Sequence, residues 1–171
     1  MISNLRVFAR PGSHKALLLA GSTVVPCTIG KGGATRVKRE GDHCTPRGRM
    51  KALEWYAPPG APRLPRLHGV PKTITPAVGW CDDPASPAYN RAVRLPARAS
   101  HESMARTDGK YDMVGVLDWN LRPRIRTRGS AIFFHINDDP QTGTEGCVAL
   151  PRHAMRRLLP RLARHVTIEV V

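Results

Sequence analysis

The 171-residue chain predicts a mostly-β fold, a β-sandwich or barrel with one helix near its C-terminus. Three observations carry that expectation. Apolar runs of strand length recur between clusters of turn residues. The 16 prolines and 15 glycines punctuate the chain too often for long helices. Only residues 151–163 keep a helical apolar spacing for several turns. The length suits a single domain, residues 1–171, with a core of its own.

Residues 5–9 and 15–20 read as two strands joined by the turn Arg10-Pro11-Gly12-Ser13. A third strand, 23–30, is rich in β-branched side chains. The glycine-rich, charged stretch 31–48 is the best early candidate for lining a site. It lacks the second half of a phosphate loop, so nucleotide binding is not indicated. Residues 50–56 read as a strand with Trp55 and Tyr56 packed at its end, and 57–76 as irregular, proline-studded chain. A turn is expected at 79–84 and an extended segment at 87–99. Residues 100–104 suggest a short helix, because Ser100 can cap its first turn. The apolar runs 112–119 and 130–136 should be central strands, with His135 at the exit of the second.

In 151–163, Pro151 suits the first helical position. Ala154, Leu158 and Leu162 form one apolar row, and Met155, Leu159 and Ala163 the next. Arg152, Arg156, Arg157 and Arg161 take the remaining faces, and Pro160 should kink or shorten the helix. The alternating stretch 166–171 closes the chain as a strand.

Charge and composition narrow the function classes. A net charge of +14 attracts polyanions. Yet the arginines are spread along the chain, and aromatics make up only 5% of it, so nucleic acid is not the expected partner. Cys27, Cys44, Cys81 and Cys147 lie far apart without a C-x-x-C pair, so no metal site is indicated. No run approaches the roughly 18 apolar residues of a membrane span. Residues 1–10 lack the features of a secretory signal. The expectation is a cytoplasmic chain unless it is trimmed or exported by another route.

The chemistry concentrates in Phe133-Phe134-His135-Ile136 and Thr144-Glu145-Gly146-Cys147-Val148. A free thiol has a pKa of about 8.5, and an adjacent imidazole can take its proton to leave a His⁺/S⁻ pair. Glycine before the cysteine opens backbone angles closed to other residues, and the N–H groups of Gly146 and Cys147 could then hold an oxyanion. The same residues also fit a small buried thiol beside a core histidine.

This region resembles the catalytic motif of the L,D-transpeptidase (YkuD/ErfK-type) family, on His135, Thr144, Gly146, Cys147 and Val148. Two further stretches match in family order. Gly41-Asp42-His43-Cys44-Thr45-Pro46-Arg47-Gly48 resembles the family's Gly-Asp-x-x-Thr-Pro-x-Gly turn. The stretch from Tyr111 to Asn120 resembles the strand preceding the catalytic one. Glu145 and Ala149 stand where many members carry His and Arg, and the loop from His135 to Cys147 is shorter, as in a compact, divergent branch.

The resemblance implies a β-sandwich and a thioester acyl-enzyme on Cys147, with His135 as base. The implied substrate is a peptidoglycan tetrapeptide stem that loses D-Ala. No cofactor is implied, since the thiolate supplies the nucleophile. The family's periplasmic setting is the alternative to the cytoplasm. Thr144 is a candidate for orienting His135, with a backbone carbonyl as the alternative. Glu145 either steers a cationic acceptor or is a solvated loop carboxylate, and His101 and Asn120 are candidate pocket residues. Two other functions stay open: an L,D-carboxypeptidase acting on wall-turnover peptides, and a basic, non-catalytic module binding anionic polymer.

Overall fold

The computed structural model describes residues 1–61 and 70–171. Part of the stretch expected to be irregular, with Arg63, Arg66 and His68, lies outside the described residues. The chain opens as a meander of β1 (Ile2–Ala9), β2 (Lys15–Ala20) and β3 (Thr23–Thr28). Alternation sorts their side chains: Leu5, Val7, Leu18 and Ala20 are buried, while Arg6, Phe8 and Leu17 face outward. The glycine-rich stretch folds back on itself through the paired short strands β4 (Ala34–Thr35) and β5 (Thr45–Pro46).

Next come β6 (Gly48–Ala57) and β7 (Lys72–Thr73), which adds in parallel to the end of β6. A separate antiparallel sheet holds β8 (Val78–Cys81), β9 (Arg91–Arg94) and β10 (His101–Ser103), in the order β10-β8-β9. The last elements are β11 (Val114–Leu117), β12 (Phe133–Ile136), β13 (Val148–Leu150), helix α1 (Arg152–Leu158) and β14 (Leu162–Val170).

The main sheet runs β11-β12-β13-β3-β2-β1-β14-β6-β7, and β11 also pairs with β6, so the sheet curls round and closes. Its inner face carries one core, including Leu5, Leu18, Met50, Trp55, Phe134 and Ile168, to which α1 adds Ala154, Met155 and Leu158. Burying each such large side chain stabilises the fold by about 1.5–3 kcal/mol.

The outer face of β6, β11 and β12 is apolar as well. Tyr56, Val114, Val116 and Phe133 form a second cluster there, with Trp80 of β8, Met104, Tyr111 and Cys147. The three-stranded sheet therefore covers one side of the closed sheet, and both faces of β11 and β12 are buried. That is why these strands read as continuous apolar runs rather than alternating ones.

Three local expectations are corrected. Residues 101–103 form a strand, because pairing of His101, Glu102 and Ser103 with Cys81, Trp80 and Gly79 outweighs a weak cap signal. The expected turn at 79–84 begins inside β8, for the same reason. Helix α1 is shorter than 151–163: Pro151 is its extended N-cap, and a 3-10 turn at Leu159–Arg161 takes in Pro160. Leu162 and Ala163 belong to β14, which runs parallel to β1.

Candidate active site

Strand register brings the two chemistry-bearing residues to one face. β12 and β13 are parallel, with Phe134 opposite Val148 and His135 opposite Ala149. Phe134 and Val148 belong to the inner core. His135 and Ala149 therefore point outward, as do Phe133 and Cys147 two residues before them. His135 and Cys147 are diagonal neighbours across adjacent segments of the sheet, which puts their Cα atoms about 8 Å apart at ~4.8 Å between strands and ~3.3 Å per residue.

The sulfur of Cys147 is held from two sides. The N–H of Phe133 donates to Sγ at 3.3 Å, and the thiol donates to the carbonyl of Ala131 at 3.3 Å. Ala131 has φ of +52°, a left-handed conformation uncommon for a residue with a side chain. It is held by the buried Asn90, whose Oδ1 accepts from Ala131 N and from Trp80 Nε1, both at 3.0 Å. The Nδ2 of Asn90 donates to the carbonyls of Trp119 and Asn120.

The backbone around the thiol is fixed by two threonines. Thr144 Oγ1 donates to the Cys147 carbonyl at 2.7 Å and accepts from Gly146 N at 3.2 Å. Thr45 Oγ1 donates to the same carbonyl at 3.2 Å and accepts from Gly30 N at 2.8 Å. The glycine-rich stretch thus packs directly on the cysteine loop. Gly146 sits at φ +137°, and a Cβ there would lie 2.9 Å from the Cys44 carbonyl oxygen, so both conformation and space call for glycine.

Because its N–H is bound to Thr144, Gly146 is not a free oxyanion donor. The N–H of Cys147 donates to no group among the described residues.

Orientation of His135 comes from the backbone. Its Nδ1 lies 2.8 Å from the Ile136 carbonyl, which selects the tautomer with the proton on Nδ1 and the lone pair on Nε2. Thr144 makes its bonds to the cysteine loop instead. The ring of Tyr111 meets His135 edge-on at 5.3 Å and Phe133 at 5.9 Å, and the Tyr111 hydroxyl donates to Glu102. Arg106 lies over the Tyr111 ring at 5.2 Å.

Burial governs the electrostatics. It lowers the His135 pKa to about 4, partly opposed by the bond to Ile136. It raises the Cys147 thiol to about 12, with the Glu102 carboxylate pushing the same way. At neutral pH both groups are uncharged, so the resting pair is thiol and imidazole rather than the His⁺/S⁻ pair expected. Cys147 is 6% exposed.

Of the candidate pocket residues, Glu145 is exposed and bonded to Lys31 and His43, which ties the cysteine loop to the glycine-rich stretch. His101 bonds the Ala99 carbonyl at 2.8 Å and borders a shallow cleft with Pro76, Leu95 and Pro96. Its neighbour Glu102, on the opposite face of β10, reaches Tyr111 instead. Asn120 spends its amide on Gly129 and on both backbone groups of Ile125, so it shapes a loop.

Sequence reasoning missed Tyr111, Glu102, Asn90 and Ala131. Tyr111 alone had a signal, as the first residue of a matched stretch. The four cysteines are free thiols. Among the described residues no group of three or more His, Cys, Asp or Glu is placed to hold a metal ion, and no helix is long and apolar enough to cross a membrane.

Fold and site together define a β-rich domain with an imidazole on β12 and a thiol just before the parallel strand β13. A family model of the L,D-transpeptidase catalytic domain, YkuD, matches residues 6–170, and the chain belongs to that family. Members of that family act on peptidoglycan peptides. A search of curated proteins finds no match.

Proposed function

We propose that the protein is a cysteine-dependent L,D-transpeptidase acting on peptidoglycan tetrapeptide stems, with Cys147 as nucleophile and His135 as general base. The observation that carries this reading is the register that puts both side chains on the outer face, with His135 held by Nδ1.

In the proposed reaction, Nε2 of His135 takes the Cys147 proton as the sulfur attacks the carbonyl before the terminal D-Ala. The developing oxyanion is received by the Cys147 N–H, and donors of this kind contribute about 2.7–4 kcal/mol. The C–N bond breaks, the D-Ala amine takes the proton from His135, and a thioester remains. An acceptor amine then loses its proton to His135, attacks the thioester and releases the thiol. Because the resting pair is neutral, the proton moves only once a carbonyl is in place. This protects the thiol from adventitious chemistry.

Incubation with a disaccharide-tetrapeptide, with and without a free D-amino acid, tests the proposal by mass spectrometry. Exchange of the terminal residue is the expected result. Loss of D-Ala alone would identify a carboxypeptidase, and an unchanged substrate would contradict both enzymatic readings.

A further inference from the structure

A cleft of about 620 Å³ lies beside the proposed catalytic pair rather than at it. Arg91 at the start of β9, Arg122 and Arg124 of the loop after β11, and Lys72 of β7 all border it. Lys72 is paired with Glu54 at 2.9 Å. The Asp118 carboxylate accepts the Lys51 N–H at 2.8 Å. Arg124 is anchored by Nη1 on the Tyr89 carbonyl at 3.2 Å. None of the three arginines has a carboxylate within 4.0 Å among the described residues. The cleft also holds the Asp118 carboxylate, but its three guanidiniums outnumber it and make no ion pair among the described residues. That excess of positive charge is suited to carboxylates, which guanidinium binds in a two-pronged manner.

Register relates this cleft to the thiol. Glu54 pairs with Val116, and Val116 with Phe133, whose N–H bonds the Cys147 sulfur. Glu54 and Val116 line the cleft, so cleft and sulfur share one face of the sheet. At about 4.8 Å per strand, Val116 and Glu54 lie roughly 10–14 Å from Cys147. That separation, measured straight across the buried Val116 and Phe133, equals the length of about three to four extended residues at ~3.3 Å each.

We infer that this arginine cleft is a specificity subsite for an acidic peptide, holding carboxylates a few residues from the carbonyl that Cys147 attacks. The inference rests on the proposed role of Cys147. It also accounts for part of the net charge of +14, which steers an acidic strand toward this face.

The test uses Arg91→Ala/Arg122→Ala, two exposed side chains, and Arg91→Lys/Arg122→Lys as the conservative control. Substrates are a disaccharide-tetrapeptide with free side carboxylates and the same compound with those groups as amides. The alanine pair should raise KM for the acidic substrate about tenfold and leave its kcat and its carbapenem acylation rate unchanged. It should not alter KM for the amide form, and the lysine pair should recover part of the loss. Equal effects on both substrates, or none, would overturn the subsite.

Should the protein prove inactive, the parent reading fails separately, and binding of the acidic compound to Cys147→Ala decides the cleft. Binding lost in the arginine variants supports it, and unaltered binding contradicts it. Polyphosphate displacing the acidic compound at equal charge would reassign the cleft to a phosphate polymer and overturn the peptide inference.

Discussion

Two faces of the same strands do different work in this domain. Phe134 and Val148 point into an apolar interior shared with Trp55, Leu150 and Met155. Phe133, His135 and Cys147, alternating with them, face a second cluster where Trp80 and Tyr111 pack near Glu102 and where the Cys147 N–H donates to no group among the described residues. The inner face contributes stability and sets the register. The outer face uses that register to aim a thiol and an imidazole. A one-residue slip of β12 against β13 would exchange the two roles, so the site is only as precise as the core behind it.

The comparison is broken most completely at the outer face. Cys147→Ala should abolish exchange of the terminal residue, and His135→Gln should lower kcat by about 10²–10⁴-fold. Both should stay folded, as judged by near-UV circular dichroism. The inner face should fail in the opposite way. Phe134→Ala should cost about 3–5 kcal/mol in urea unfolding, while the fraction that stays folded keeps its acylation rate per molecule. A large loss of rate at unchanged stability in that variant would mean that the two faces are not separable.

Protonation gives a finer separation. His135 has its folded pKa pushed down to about 4 from 6.5. Between those values the unfolded chain binds the extra proton and the native state does not. The stability is whole above about pH 6.5 and is lost as pH falls towards 4, by about 3 kcal/mol in total. The difference in unfolding free energy between wild type and His135→Gln, followed from pH 7 to 4, should shrink over that window. A constant difference would contradict a buried neutral imidazole.

The raised thiol has its own signature. Iodoacetamide at pH 7.5 should label the partly exposed Cys44 before Cys147, by peptide mapping. The smallest effect belongs to Thr144, which braces the cysteine loop. Thr144→Val removes the hydrogen bonds to Cys147 O and Gly146 N and should cost about 1–2 kcal/mol, with a modest drop in acylation rate.

Most strands were legible in the sequence, because turn residues bracket them and their apolar runs are strong. The short strands were not. β10 is three residues long and is made by pairing with β8, which no local pattern encodes. Helix α1 was legible in kind but overlong, because the apolar rows of 151–163 continue into residues that β1 recruits as strand. At the site, His135, Thr144, Gly146 and Cys147 were legible because they lie on one short stretch with a family pattern. What holds them was hidden. Thr45 reaches Cys147 across 102 positions and Asn90 reaches Ala131 across 41, contacts that exist only once the sheet has closed. The resting charge state was misjudged for a related reason. Motif spacing is silent on burial, and burial keeps both partners neutral.

The most direct test is acylation of the wild-type protein and of Cys147→Ala by a carbapenem at pH 7, read by intact mass and peptide mapping. One adduct per molecule, mapped to Cys147 and absent from the variant, is the predicted result. No adduct on the folded wild type, or an adduct that persists in Cys147→Ala, would contradict a nucleophile at this position.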